Sequence, residues 1–185
     1  MSSQTRFLVM LLVSGRQNIF RSKSRVLFKS LTYMTVDVSG IIPTVEKEMD
    51  GTSGALYAIF LNALVASLKT QPPGEATPKV WASALKDSCA ALSRYTPARP
   101  GDRTLVDALY PFVEVLEKTS DVRKAAEAAQ EAAAKTKGMP ASLGRTVYVG
   151  GSGFEKVPDP GAWGLASFFQ GLAGIKKADD GWEKL

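Results

Sequence analysis

Histidine is absent from the 185 residues, and cysteine occurs once, at Cys89. Without an imidazole, neither Ser-His-Asp nor Cys-His catalysis nor a histidine-ligated metal can be assembled from this sequence. A single cysteine excludes an intramolecular disulfide and suits a reducing compartment. Cys89 lies in a helix-patterned stretch and is expected to be a small core residue. Acidic residues are missing before Asp37, where Arg6, Arg16, Arg21, Lys23, Arg25 and Lys29 stand alone. The other 17 of the 23 basic residues face 18 acidic ones, so the net charge of +5 belongs to the N-terminal segment. That distribution argues against a nucleic-acid-binding domain. Long apolar runs are missing too. Residues 7–13 (F-L-V-M-L-L-V) are too short to cross a bilayer, and no transmembrane span is expected. Neither a G-x-x-x-x-G-K-[ST] loop nor a G-x-G-x-x-G fingerprint occurs.

What is present divides into three parts. Residues 1–35 are basic and apolar, compatible with an organellar targeting segment, a helix docked on the domain, or sequence foreign to it. Residues 36–177 carry regular helical patterning, and 178–185 form a polar tail. Helices are expected over 41–49, 54–69, 80–95, 104–118, 121–137 and 162–176. In the second, Leu56, Ile59, Phe60, Leu64 and Leu68 share a face that Tyr57, Leu61 and Val65 extend nearly all round, as in a central helix. Pro111 should kink the fourth helix, and Ser120 should cap the fifth. The expected fold is an all-α antiparallel bundle of six or seven helices, with function on the loops at one end.

Three inter-helix loops open a helix with glycine beside a polar residue: G-T-S-G at 51–54, G-D-R-T at 101–104 and D-P-G-A at 159–162. A helix start presents unpaired N–H groups and partial positive charge, which suits an anion. Gly51 and Gly54 would admit a ligand close to the backbone, and the Thr52 and Ser53 hydroxyls could cap the helix or meet phosphate oxygens. Arg145 adds a guanidinium. Singly each loop reads as an ordinary cap or turn; together they point to a polyphosphate.

The stretches G-T-S-G-A-L-Y at 51–57, Y-T-P-A-R-P-G-D-R-T-L-V-D-A-L at 95–109, G-R-T-V-Y-V-G at 144–150 and D-P-G-A at 159–162 occur in this order. Together they resemble the ATP-binding DhaL (Dak2) domain of dihydroxyacetone kinases, most closely the fungal single-chain enzymes. The resemblance implies a barrel of antiparallel helices holding ATP or ADP in loops at one end. Thr52 and Ser53 would contact phosphates, Thr96 would line the nucleotide, and Thr104 and Leu105 would lie near adenine or ribose. Asp102 and Arg103 would shape that loop. Arg145 would meet the phosphates, and Asp159, Pro160 and Gly161 would close over the nucleotide. Leu105 replaces a usual methionine, Thr146-Val147 replace Ala-Ser, and Asp50 replaces the first glycine of G-G-T-S-G.

The family also holds two magnesium ions with aspartates of a G-D-G-D-type loop, and no such loop occurs in these 185 residues. The resemblance therefore implies a domain short of one or two N-terminal helices, with no metal ligands assigned and weak or no kinase activity alone. Its partner would be a DhaK-type domain that holds dihydroxyacetone through a histidine, and its location cytoplasmic unless residues 1–35 direct it to an organelle. The alternative is a non-catalytic interaction or regulatory module derived from this domain.

Overall fold

The computed structural model describes residues 38–71, 77–143 and 156–175. A 3-10 turn at Val38–Gly40 leads into α1 (Ile42–Glu48), α2 (Gly51–Lys69), α3 (Pro78–Leu92), α4 (Val106–Thr119), α5 (Val122–Lys135) and α6 (Pro160–Leu172). No strand occurs among the described residues. The readings of residues 1–35 and 178–185 fall outside them.

All six expected helices are present, and capping chemistry moves their ends. α3 begins at Pro78 because the Thr77 hydroxyl accepts from Val80 N at 3.4 Å. A proline at the start costs nothing there, since its missing N–H would be unpaired anyway. The expected cap of α5 is Ser120, but Asp121 does that work, its Oδ1 accepting from Arg123 N and Lys124 N at 2.9 and 3.1 Å. Ser120 instead closes α4 in a left-handed conformation, φ 54°. α4 runs through Pro111 as one continuous helix.

The core lies where α4, α5 and α6 meet and extends across α3 to α2. Phe112 of α4 and Phe169 of α6 stack with ring centroids 3.7 Å apart and planes 10° from parallel. Ala125, Ala126, Ala129 and Ala133 of α5 are fully buried, their small side chains letting that helix approach α4 and α6 closely. Burying a leucine or phenylalanine side chain contributes about 1.5–3 kcal/mol, so Leu85, Leu92, Phe112, Leu116 and Phe168, all buried, dominate the packing.

α2 departs from the expectation of a central, wrapped helix. Its buried residues are Gly54, Phe60, Leu61, Leu64 and Ser67, while Leu56, Tyr57, Ile59 and Val65 are half-buried. By length and composition alone, with a mean hydropathy of 1.4, α2 is apolar enough to cross a membrane. In this fold it packs on α1 and α3, tied to α3 by Ser67 Oγ donating to Asp87 at 2.5 Å.

Candidate functional site

Gly161 at the start of α6 adjoins Leu105 at the start of α4, and the early turns of α2 and α4 and the helix α6 meet at one apolar cavity. Its walls come from Leu56 and Tyr57 early in α2, Leu105 and Leu109 at the start of α4, and Leu165 and Phe169 of α6. Three helix N-termini, each carrying partial positive charge, thus lie about one region.

Thr52 and Ser53 are exposed in the first turn of α2, which starts three residues earlier than the sequence suggested. They are not its cap. Asp50 occupies that position and its carboxylate makes no capping hydrogen bond. The first N–H groups of α2 therefore lack the side-chain acceptor found at α3, α5 and α6, which leaves them available to an anion. Gly51 takes φ +75°, a conformation that favours glycine. Gly54 does not open the backbone to a ligand, contrary to expectation. A Cβ there would overlap the Met49 carbonyl, so its missing side chain accommodates the α1–α2 corner.

The stretch from Thr96 to Leu105 is closed on itself. Thr96 Oγ1 accepts from Ala98 N at 3.2 Å, and Arg99 N donates to Asp102 at 2.7 Å. Asp107, buried, accepts from Gly101 N at 2.5 Å and from Thr104 N at 2.7 Å. Thr104 Oγ1 accepts in turn from Val106 N at 3.3 Å, so Thr104 and Asp107 bond reciprocally just ahead of and within the first turn of α4, in the manner of a capping box. The pattern T-x-x-D before an apolar run is legible in sequence, and Asp107 is the residue at this end that it should have flagged. Hydrogen bonds from Ser142 and Arg99 N hold the Asp102 carboxyl below the usual range.

Asp159 caps α6, its Oδ1 accepting from Ala162 N at 2.8 Å. Pro160 and Gly161 belong to the first helical turn rather than to a free loop. Burial pushes the Asp159 carboxyl above the ordinary aspartate range, against the pull of the Ala162 N–H and the Arg103 charge. Gly161 adjoins Leu105: a Cβ on it would lie 3.5 Å from Leu105 N. The structure thus joins Thr104–Leu105 to Asp159–Gly161, and sets Thr52 and Ser53 one turn above the same cavity. Arg145 lies outside the described residues.

The carboxylates among the described residues do not fit a magnesium pair. Among the described residues no three His, Cys, Asp or Glu side chains cluster. Of the carboxylates at this end, Asp102 and Asp107 bond loop amides and Asp159 its helix, while Asp50 makes no capping bond and joins no cluster of three among the described residues.

The described residues form an all-helical fold, and comparison with known proteins gives the family. The DAK2 domain profile matches residues 28–174, and the chain belongs to that family. It is 45% identical over 144 residues to the dihydroxyacetone kinase of Pichia angusta, covering 72% of this chain and 24% of that enzyme. The triokinase/FMN cyclase of Homo sapiens is 35% identical over 137 residues, covering 68% and 22%. The chain thus spans about a quarter of the length of the relatives it matches. The crystal structure of the C. freundii dihydroxyacetone kinase superposes with a TM-score of 0.66 at 23% identity, over 94% of this chain and 34% of that one. The same enzyme with AMP-PNP and Mg2+ superposes with a TM-score of 0.58 at 22% identity, over 94% and 33%. Both likenesses establish the all-α fold.

Proposed function

We propose that this chain is the nucleotide-binding unit of a dihydroxyacetone (glycerone) kinase, holding ATP or ADP while a DhaK-type domain holds the triose. One observation carries the reading: three helix starts converge on one region, and the α2 start lacks a side-chain cap. Phosphates would meet the α2 N–H groups and the Thr52 and Ser53 hydroxyls, with Arg145 as their cation. The base would rest against Leu105 and the apolar rim, bordered by Thr96 and Thr104 on one side and Asp159, Pro160 and Gly161 on the other. In the complete kinase, the γ-phosphoryl of ATP would pass to a triose hydroxyl, a reaction of glycerol and dihydroxyacetone metabolism in the cytoplasm.

Such transfer needs cations to neutralise charge at the β- and γ-phosphates. The described carboxylates do not supply magnesium ligands, so this unit binds and orients nucleotide and is weak or inactive as a kinase alone. The test is titration with ADP, with and without magnesium, on the wild type and the T52V/S53A pair. Saturable binding weakened about three- to tenfold by the double variant is expected, roughly one or two lost hydrogen bonds. No saturable binding, or equal binding by the variant, overturns the reading. Adding a DhaK-type domain then separates catalysis from an interaction or regulatory role: no phosphoryl transfer favours the latter.

A further inference from the structure

Arg103 stands between two of the proposed nucleotide edges, yet it cannot touch a nucleotide. The residue is only 3% exposed, and its backbone is left-handed, φ 59°, a conformation that a residue with a side chain holds only where its surroundings impose it. Nε donates to the Thr136 carbonyl at 3.3 Å, and Nη2 donates to the Val157 carbonyl at 3.0 Å. Thr136, just past the end of α5 and fully buried, works in the other direction as well. Its hydroxyl donates to the Ala133 carbonyl at 2.6 Å and accepts from Asp159 N at 2.7 Å. Arg103 immediately precedes Thr104–Leu105, and Asp159 immediately precedes Pro160–Gly161. Both edges are therefore fastened to one anchor at the C-terminal end of α5, although 55 residues of sequence number separate Thr104 from Asp159.

We propose that Arg103 and Thr136 are positioning residues that set the gap between the Thr104–Leu105 and Asp159–Gly161 edges, so that nucleotide affinity depends on bonds the nucleotide never meets. This rests on the nucleotide reading above and adds a coupling between its two edges. The planar guanidinium suits the role because it donates in two fixed directions at once, which a lysine ammonium does not. Thr136 suits it because one hydroxyl can donate and accept together.

The experiment uses the full chain as T136V, which keeps shape and loses the hydroxyl, T136S, which keeps the hydroxyl, and R103K. Hydrogen exchange is followed by mass spectrometry over 100–106, 157–163 and, as reference, 80–92, beside ADP titrations. Expected for T136V and R103K is faster exchange in both 100–106 and 157–163, unchanged exchange over 80–92, and ADP affinity about three- to tenfold weaker. T136S should restore both readouts. Faster exchange confined to the segment nearest each substitution overturns the coupling, as does unchanged ADP affinity in variants of a wild type that binds. A wild type that binds no ADP defeats the nucleotide reading alone, and the paired exchange response still decides the clamp. Should T136V fail to fold, R103K carries the same comparison.

Discussion

Gly54→Ala offers a test whose sign, not only its size, discriminates. In an exposed helix interior, alanine is favoured over glycine by about 1 kcal/mol, so a bland α2 would be stabilised. Here the added Cβ would overlap the Met49 carbonyl. That carbonyl belongs to backbone, and Met49 N is itself bonded to the Val45 carbonyl at 3.0 Å, so relief requires moving the whole α1–α2 corner. Overpacking costs about 1–3 kcal/mol, and where the obstruction is backbone that cannot rotate away the cost lies toward about 2–3. Net of the propensity gain, a loss of roughly 1–2 kcal/mol remains. For a chain this long each kcal/mol is worth about 2–4 °C, giving a midpoint lowered by roughly 2–8 °C. Ala66→Gly, at an exposed position of the same helix, makes the opposite exchange and should lose about 1 kcal/mol by propensity alone. Alanine is then the worse residue at 54 and the better one at 66. Urea and thermal melts followed by circular dichroism would measure both. A G54A chain as stable as the wild type would refute the claim that Gly54 exists for the corner.

Three further outcomes are expected. Asp107→Ala leaves the Gly101 and Thr104 amides without their acceptor and should cost about 2–4 kcal/mol in urea melts, with D107N losing about half as much; equal stability of all three would show that the loop does not depend on that carboxylate. Asp159 holds its proton more tightly folded than unfolded, because burial raises its pKa; stability from this group is therefore full below the unfolded value near 4 and lost as pH rises through the folded one. Asp159→Asn keeps a capping acceptor and should gain on the wild type between pH 3 and pH 7, whereas a gap that widens against it with rising pH would contradict the burial argument. Burial pushes the Cys89 thiol up to about 12, so a disulfide reagent should label it at the rate of global unfolding, and rapid labelling of the native chain would place it at the surface.

The helices were legible because their apolar spacing survives in the fold: Leu85, Cys89 and Leu92 in α3, and Leu109, Phe112, Val113 and Leu116 in α4, are buried as the periodicity required. Ends were less legible because caps compete locally. Ser120 and Asp121 are both good caps, and only the backbone turn at Ser120 decides between them. The pattern of α2 misleads because all-round apolarity marks either a wrapped helix or one bordering a cavity, and sequence does not distinguish them. At the candidate site, two of the glycine-led loops meet, Gly161 adjoining Leu105. What sequence could not show is that Thr136 binds Asp159 N and that Arg103 is buried, since both depend on contacts across more than twenty residues of chain.

The magnitude of the cradle constrains what it can do. A helix start contributes about 0.3–1 kcal/mol to an anion, and up to ~2 in a partly buried setting. Even three free starts would supply only roughly 1–3 kcal/mol, and those of α4 and α6 are already occupied by side-chain acceptors, while a millimolar complex requires about 4 kcal/mol and a micromolar one about 8. Apolar contact of the base with the Leu105 rim can close the first gap, since each buried methylene adds about 0.8 kcal/mol. It does not close the second. ADP should accordingly bind near the millimolar range in a magnesium-free titration, with the remaining affinity dependent on cations such as Arg145. Micromolar binding in the absence of added metal, retained in R145A, would show that helix starts contribute far more here than their usual share.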